Sequence, residues 1–346
     1  MKKRLKKVAV AELDIERRRV GRGFAYYDSN GRQIKDPKTL ARIQKMAIPP
    51  AYADVRIASD ESAHLQAIGR DVAGRLQYRY HPDWTNVREK RKVVRMAELV
   101  EALPKIRAAV RRDLAAKELS CTKAAACAVA MIDESCLRVG CEDYAREDGG
   151  RGAATLLKRH AAIGRHQVKL QFRGKGGKVV DRVIKDPALA DALRRLAAIP
   201  GQRLLKFLDE DGRPHPLTAA DVNAYLQRVS GASVSAKDFR MTNASALAAE
   251  ELAAMSPPAP SETGQRRQLS AVMRLVAEQL CNTPAIARKS YVHAIVEESF
   301  RRGVLITRLR RARPAPFRKR AEALLGELAR RESGAAPKSG APDAEP

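Results

Sequence analysis

The sequence predicts an α+β protein, with a small β-rich N-terminal domain followed by a larger, mainly α-helical domain that carries one β-hairpin. Three observations lead there. Short alternating apolar stretches, separated by turn residues, crowd the chain before residue 85. Helical spacing of apolar residues dominates beyond about residue 93. One pair of alternating stretches, His166–Phe172 and Val179–Ile184, interrupts it around the turn Arg173-Gly174-Lys175-Gly176-Gly177-Lys178.

In chain order, residues 1–20 are basic and are expected to be a loose arm. Gly23–Asp28 reads as a strand and Ser29-Asn30-Gly31-Arg32 as a turn. Asp36-Pro37 opens a short helix that runs to about Met46, because Asp caps and Pro suits the first turn. Ile48-Pro49-Pro50 ends it, and strands follow at Val55–Ala58, His64–Gly69 and Leu76–Tyr80. Tyr26, Tyr27, Tyr52, Tyr78, Tyr80 and Trp84 all fall in this block, which suits a sheet. The charge run Arg88–Lys92 is a linker or a helix start. Beyond it Met96, Leu99, Leu103 and Ile106 keep helical spacing, as do Val129, Ile132, Cys136 and Val139. Later helices are expected near 187–199, 218–229, 242–255, 265–280 and 284–300. Residues 301–320 hold nine Lys and Arg and no acid, and should add affinity for a polyanion. The Gly-, Ala-, Pro- and Ser-rich end is expected to be disordered. The expected plan is therefore a basic arm (1–20), an N-terminal domain (21–92), a second domain with a basic C-terminal segment (93–331) and a tail (332–346).

Composition narrows the function. The 346 residues are 45% hydrophobic, enough for a sizeable core, and only 4% aromatic. Lys plus Arg number 66 against 40 Asp plus Glu, a net charge of +26, which attracts a polyanion. No apolar run is long enough to span a bilayer, and no apolar stretch follows the basic N-terminus as a secretory signal requires. A cytoplasmic, nucleoid-associated place is expected. The five cysteines (121, 127, 136, 141 and 281) form no C-x-x-C pair, against a disulfide framework and structural zinc. The Gly-rich turn at 173–178 lacks the Ser or Thr and the following helix of a phosphate-binding P-loop. No nucleotide, metal or other cofactor is expected.

The chemistry concentrates in Leu280-Cys281-Asn282-Thr283-Pro284, which leads to Arg288-Lys289-Ser290-Tyr291-Val292-His293. Thr283-Pro284 caps and starts a helix, which puts Tyr291 two turns in, beside Arg288 and Lys289. A phenol is a weak nucleophile, with a pKa of about 10, and nearby cations would lower that value and steer a phosphate to it. Taken alone, the segment reads more readily as a half-buried helical tyrosine beside solvated charges.

Ordered pieces elsewhere change that balance. Cys136-Leu137-Arg138-Val139-Gly140, Lys169–Lys175, Lys237-Asp238-Phe239-Arg240, and Asn282 nine positions before Tyr291 follow one another along the chain. Gly69-Arg70-Asp71 and Gln77-Tyr78-Arg79-Tyr80-His81-Pro82 precede them. In these pieces the chain resembles the bacterial and poxvirus-like type IB DNA topoisomerases, over roughly residues 20–300. The resemblance implies the catalytic fold shared by tyrosine recombinases and type IB topoisomerases, with the N-terminal domain as a DNA clamp. It implies that Tyr291 attacks a backbone phosphate to form a 3′-phosphotyrosyl link, and that the nicked duplex rotates and is religated without ATP or metal. Arg138 and Arg240 match the two arginines that bind the transition-state charge, Lys175 the general acid and Lys237 a second lysine of the proton relay. Asn282 stands where His is frequent. Arg70, Gln77, Tyr78 and Tyr80 match the clamp's DNA-contacting stretch, and Lys178, Arg288 and Lys289 are further expected DNA contacts. Double-stranded DNA is the expected partner, bound by a monomer.

Each residue also has a plainer reading without the resemblance. Arg138 would be a helix-end cation, Lys175 a solvated turn lysine with Lys178 able to replace it, Lys237 and Arg240 surface phosphate contacts, and Asn282 a cap. Gln77, Tyr78 and Tyr80 would be sheet-packing residues. Two departures from the family pattern stand out: Met241-Thr242-Asn243 follows Arg240 where Thr, an aromatic and Gly are usual, and Cys281 replaces a frequent Gly. A tyrosine recombinase is the nearest rival, but such enzymes usually carry His three residues before the second arginine, where this chain has Lys237. A non-enzymatic basic DNA-binding protein fits the charge equally well but leaves the ordered pieces unexplained.

Overall fold

Alternation of apolar and polar residues builds the first sheet. The computed structural model describes residues 5–147, 149–314 and 319–333. The chain divides into two compact units, Met1–Arg91 and Lys92–Pro346. In the first unit β1 (Ile15–Val20), β2 (Gly23–Tyr27), β3 (Ala53–Ile57), β4 (Leu65–Arg70) and β5 (Leu76–Tyr80) form an antiparallel sheet in the order β2-β1-β3-β4-β5. Helix α1 (Pro37–Lys45) is capped by Asp36, whose carboxylate accepts the Thr39 N–H at 2.8 Å. It sets Ile43 against Ile15, Val55, Ile57 and Ala67, while Leu13, Ala58, Ala63, Leu65 and Ile68 form a second cluster.

The expected loose arm is corrected by this sheet. Residues 15–20 are β1, and Leu13 and Ile15 are each 2% exposed. Two apolar residues placed to fill the sheet outweigh the repulsion among the surrounding cations.

The second unit is mainly helical. Its elements are α2 (Trp84–Ala115, which straddles the division), α3 (Cys121–Ser135), α4 (Glu142–Glu147), α5 (Pro187–Ala198), α6 (Ala219–Ser230), α7 (Ala236–Ala254), α8 (Glu262–Leu280), α9 (Pro284–Ser290), α10 (Ala294–Arg301), α11 (Leu305–Arg311) and α12 (Arg320–Ser333). Strands β6 (Ala161–Ile163), β7 (Val168–Arg173) and β8 (Val179–Ile184) form an antiparallel sheet, and β9 (Lys206–Leu208) pairs with β10 (Pro214–Pro216). The expected hairpin is β7–β8, with Val168, Leu170 and Phe172 buried and the residues between them exposed. Met96, Leu99, Leu103 and Ile106 are fully buried along α2.

Two hydrophobic clusters share this unit, and the chain crosses between them at chemically telling points. Leu137 belongs to one and Cys136 to the other; Phe239 belongs to the first and Met241 to the second. Arg138 and Arg240 sit at these crossings. Tyr291 packs in the second cluster.

Several helix expectations are corrected. The periodicity through Cys136 and Val139 stops at Ser135, because Cys136 takes a left-handed conformation (φ 54°). The helix expected over 242–255 begins at Ala236, so Lys237 and Arg240 lie in its first turns. The helix expected over 284–300 is two helices, broken at Tyr291–His293. Beyond residue 301 the basic segment contains α11. It is followed by α12, which buries Ala321, Leu324, Leu325 and Leu328 at helical spacing. The expected disordered tail begins too early at residue 332, since α12 runs to Ser333; residues 334–346 lie outside the described residues.

Candidate active site

Arg138 is fixed by its backbone before its side chain does anything. Its carbonyl accepts the Ala153 N–H and the Val139 carbonyl the Ala154 N–H, both at 2.8 Å. The segment 150–155 approaches so closely that a Cβ on Gly152 would lie 2.5 Å from the Arg138 oxygen and the Gly140 nitrogen. Gly140 itself has φ +93°, a conformation open to Gly. From this base Arg138 forks: Nη1 donates to the Tyr291 hydroxyl at 2.6 Å and Nη2 to Asn282 Oδ1 at 2.8 Å.

Asn282 follows α8 through a left-handed Cys281 (φ 49°), and its N–H closes on the Ala277 carbonyl at 2.8 Å. Its Nδ2 is buried and makes no hydrogen bond among the described residues. A buried amide nitrogen without a partner is a costly state. Thr283 then caps α9, with Pro284 in the first turn.

Tyr291 is not two turns into a continuous helix, as its spacing suggests. It closes α9 with φ −125° and ψ −38°. Ser245 holds this break: its Oγ donates to the Tyr291 carbonyl at 3.2 Å and accepts the His293 N–H at 3.0 Å. His293 starts α10, its Nδ1 accepting the Ile295 N–H at 3.2 Å. The phenol is 9% exposed. Burial alone would raise its pKa; the charges of Arg138 and Arg240, and their hydrogen bonds, outweigh that and hold it below the ordinary value.

Arg240 is 4% exposed, with its Cζ 5.1 Å from the centre of the Tyr291 ring. Nη2 donates to the Leu280 carbonyl at 3.0 Å, and Nη1 donates to the Cys136 carbonyl. These carbonyls end α8 and α3, where helix dipoles favour a cation. Burial, then the neighbouring Arg138, lowers its pKa. Its buried Nε makes no hydrogen bond among the described residues.

A cleft of about 340 Å³ opens over the phenol, walled by Arg138, Arg151, Lys175, Lys237, Arg240 and Tyr291. Lys175 comes from the hairpin tip, where Gly176 and Gly177 take φ near +70°. Lys237 comes from the first turn of α7, whose start is closed by Ser235 and Asp238 bonding each other at 2.7 Å. Lys178, also exposed at the tip, lines a smaller adjoining cavity with Arg138, Lys175 and Arg240.

Other expected contacts fall elsewhere. Arg288 does not face the phenol; it pairs with both carboxylate oxygens of Glu297 at 2.8 and 2.7 Å. The cations that perturb Tyr291 are Arg138 and Arg240, not its sequence neighbours. Lys289 is exposed. In the first unit, Arg70 Nη1 donates to the Gly74 carbonyl at 2.9 Å and Gln77 Nε2 to Asp71 at 2.9 Å, so both brace the β4–β5 turn. Tyr78 and Tyr80 are 46% and 43% exposed, stacked with centroids 6.2 Å apart. They stay partly open to solvent rather than packing inside.

Sequence reasoning missed Ser245, Gly152 and Arg151. Only Gly152 carried a signal, as a glycine closely following the Arg138 segment. Ser245 looked like an ordinary helical serine.

The arrangement suits nucleophilic attack by an activated phenol on a phosphodiester. Two guanidiniums flank the phenol and two lysines line the same cleft, a donor set suited to the negative charge of a phosphate. Comparison with known proteins agrees with this chemistry. Residues 82–302 match the family described as eukaryotic DNA topoisomerase I, catalytic core, and residues 23–71 match the bacterial DNA topoisomerase IB N-terminal domain. A DNA topoisomerase 1B of Acanthamoeba polyphaga mimivirus is 30% identical over 284 residues, covering 80% of this chain and 84% of the relative.

Proposed function

The chain belongs to the type IB DNA topoisomerases, the eukaryotic-type topoisomerase I family, and from that premise we propose that Tyr291 is its nucleophile and the cleft above it the site of strand cleavage. The protein relaxes supercoiled duplex DNA by transient cleavage of one strand, rotation and religation, without ATP. Tyr291 Oη bonds to phosphorus, and the bond from phosphorus to the 5′-oxygen breaks. The strand is held as a 3′-phosphotyrosyl ester, so religation needs no outside energy.

Arg138 and Arg240 bind the non-bridging oxygens of the five-coordinate transition state, where planar, always-charged donors act best. Nη1 of Arg138 already grips the nucleophilic oxygen. The Asn282 Nδ2, buried without a hydrogen-bond partner among the described residues, donates to the same phosphate. Lys175 delivers a proton to the leaving 5′-oxygen, and Lys237, on the same cleft, relays it. An ammonium group can act as a general acid toward a leaving oxygen. Tyr78 and Tyr80 meet the duplex from the first unit, which we take, with β1 included, as a DNA clamp. Lys178 and Lys289 add phosphate contacts. Arg288, with its fork filled by Glu297, joins α9 to α10 instead. The enzyme works as a monomer on DNA in the cytoplasm, since one tyrosine cuts one strand.

The observation that carries this reading is the forked Arg138, which joins Tyr291 Oη and Asn282 Oδ1 across 153 and 144 positions of sequence. The test is relaxation of positively and negatively supercoiled plasmid in EDTA without ATP, with detergent trapping of the covalent complex. Wild type should relax both and carry a 3′-linked adduct, and Tyr291→Phe should do neither while still binding DNA. An adduct that persists in Tyr291→Phe would refute the assignment.

A further inference from the structure

We propose that Arg151 is an additional DNA-binding residue of the cleft, gripping the backbone phosphate next to the one that Tyr291 attacks. The proposal rests on the assignment of the cleft as the cleavage site.

Arg151 sits between the two glycines that fix its position. Gly152 presses against the Arg138 segment, where an added Cβ would lie 2.5 Å from the Arg138 oxygen. Gly150 presses against the hairpin base, where an added Cβ would lie 3.3 Å from the Gly174 oxygen and 3.4 Å from the Lys175 Cα. The Arg151 N–H itself donates to the Arg173 carbonyl at 2.9 Å. The residue is thus tied by backbone both to the arginine that grips Tyr291 and to the hairpin that carries Lys175.

Its side chain enters the cleft. It lines both the main cleft, with Arg138, Lys175, Lys237, Arg240 and Tyr291, and the smaller cavity beside it. Among the described residues its guanidinium makes one side-chain hydrogen bond, Nη1 to the Thr155 carbonyl at 3.1 Å. A guanidinium carries five N–H donors, so this leaves most of the fork for a ligand. Burial and the like charges of Arg203 and Arg159 hold its pKa below the ordinary value, with Glu142 opposing them. A half-buried cation repelled by other cations gains most from an anion, and the anion this enzyme brings to the cleft is the DNA backbone. Arg138 and Arg240 already flank the phenol. Arg151 joins them from the segment bonded to the hairpin base at Arg173.

The test uses a duplex with one mapped cleavage site, in which single phosphates flanking that site are replaced by neutral methylphosphonates. Single-turnover cleavage is measured for wild type, Arg151→Ala and Arg151→Met, the last keeping much of the apolar stem. Removing one charge-assisted hydrogen bond should slow cleavage or weaken binding by about 10- to 100-fold. It should also lower the salt slope of binding by about 0.9. At one flanking position the methylphosphonate should slow wild type by a similar factor and add nothing to either variant, because the two changes break the same ion pair. Arg151→Lys should recover part of the rate. Additive effects at every flanking position, or wild-type rates and salt slope in Arg151→Met, would overturn the proposal. Tyr291→Phe on the same duplex separates the two ideas. An adduct there sinks the site, whereas additivity with a Tyr291-dependent adduct sinks only Arg151.

Discussion

Ser245 and Tyr291 lock together where the chain turns between two helices: the Ser245 hydroxyl donates to the Tyr291 carbonyl at 3.2 Å and takes the His293 N–H at 3.0 Å. Both backbone groups lose their helical partners at this break, and one buried hydroxyl from α7 replaces them. Ser245→Ala should therefore orphan a donor and an acceptor at once. The expected cost is about 1–3 kcal/mol of stability, read by urea denaturation. Single-turnover cleavage should fall further than DNA binding, because the phenol loses its fixed aim while the basic surface is unchanged.

Gly152 offers a sharper test of how the Arg138 segment is held. A Cβ there meets backbone atoms of Arg138 and Gly140, and backbone cannot swing aside as a side chain can. Gly152→Ala should destabilise by about 1–3 kcal/mol as an overpacked site does, and should slow cleavage by moving Arg138. Gly149→Ala is the control. Gly149 has φ +66° and nothing within 4 Å, so it should cost only about 1 kcal/mol of backbone strain and leave cleavage close to wild type.

The acidity of Tyr291 is a third consequence. Burial raises its pKa and the two arginines lower it, with a net lowering from the ordinary phenol value of 10.0. A nucleophile that acts as phenolate gains activity as pH rises through its pKa. The ascending limb of the cleavage profile should therefore lie below pH 10.0 in wild type and move to higher pH in Arg138→Ala. Arg138→Lys should not restore the rate, because an ammonium lacks the planar fork that serves Tyr291 and Asn282 together. Removing one such donor should cost about 100- to 1,000-fold in the cleavage step. An unmoved limb in Arg138→Ala would show that another group sets it.

Much of this architecture is legible in the sequence because local chemistry announces it. Asp36-Pro37 and Thr283-Pro284 mark helix starts, and Val168, Leu170 and Phe172 mark a strand with one buried face. Arg138, Lys175, Arg240 and Asn282 are legible through ordered segments rather than through any local signal. What escapes reading depends on distant partners. The helix break at Tyr291 needs Ser245, 46 positions away, and no pattern near Tyr291 reveals it. Adjacency in sequence points to Arg288 as the source of the lowered acidity; Glu297 takes that guanidinium, and residues far along the chain supply the field. Helix α12 is hidden by its setting, between a basic run and a Gly- and Pro-rich end, although its leucines are correctly spaced.

That last helix is tied in by charge as well as by leucines. Arg107 on α2 donates to Asp133 on α3 at 2.6 Å and to Glu322 on α12 at 2.7 Å, and Glu322 is 2% exposed. Removing one member of a buried cluster strands the others. Glu322→Ala should cost about 3–5 kcal/mol, read as a lower urea midpoint. A change below about 1 kcal/mol would mean that Asp133 alone satisfies Arg107.

The basic segment poses the final test, and α12 dictates its form. Deleting residues 301–320 would remove α11 and splice the rest of α12 directly onto α10, so weakened DNA binding would report failed folding. Charge neutralisation avoids this. Arg302 is paired with Glu298, and Arg308 is half-buried, but Arg310, Arg311 and Arg313 are exposed. The triple change to Gln should leave the urea midpoint unchanged, since exposed substitutions of this kind move stability by no more than about 0.5 kcal/mol. If all three side chains neutralise phosphates, the slope of log binding constant against log salt should become shallower by about 2.7, which is roughly 0.9 for each phosphate no longer neutralised. The cleavage step, measured with saturating enzyme on a bound duplex, should keep its rate, because none of the three lines the cleft. An unchanged slope would confine DNA binding to other surfaces and leave this cluster no part in it.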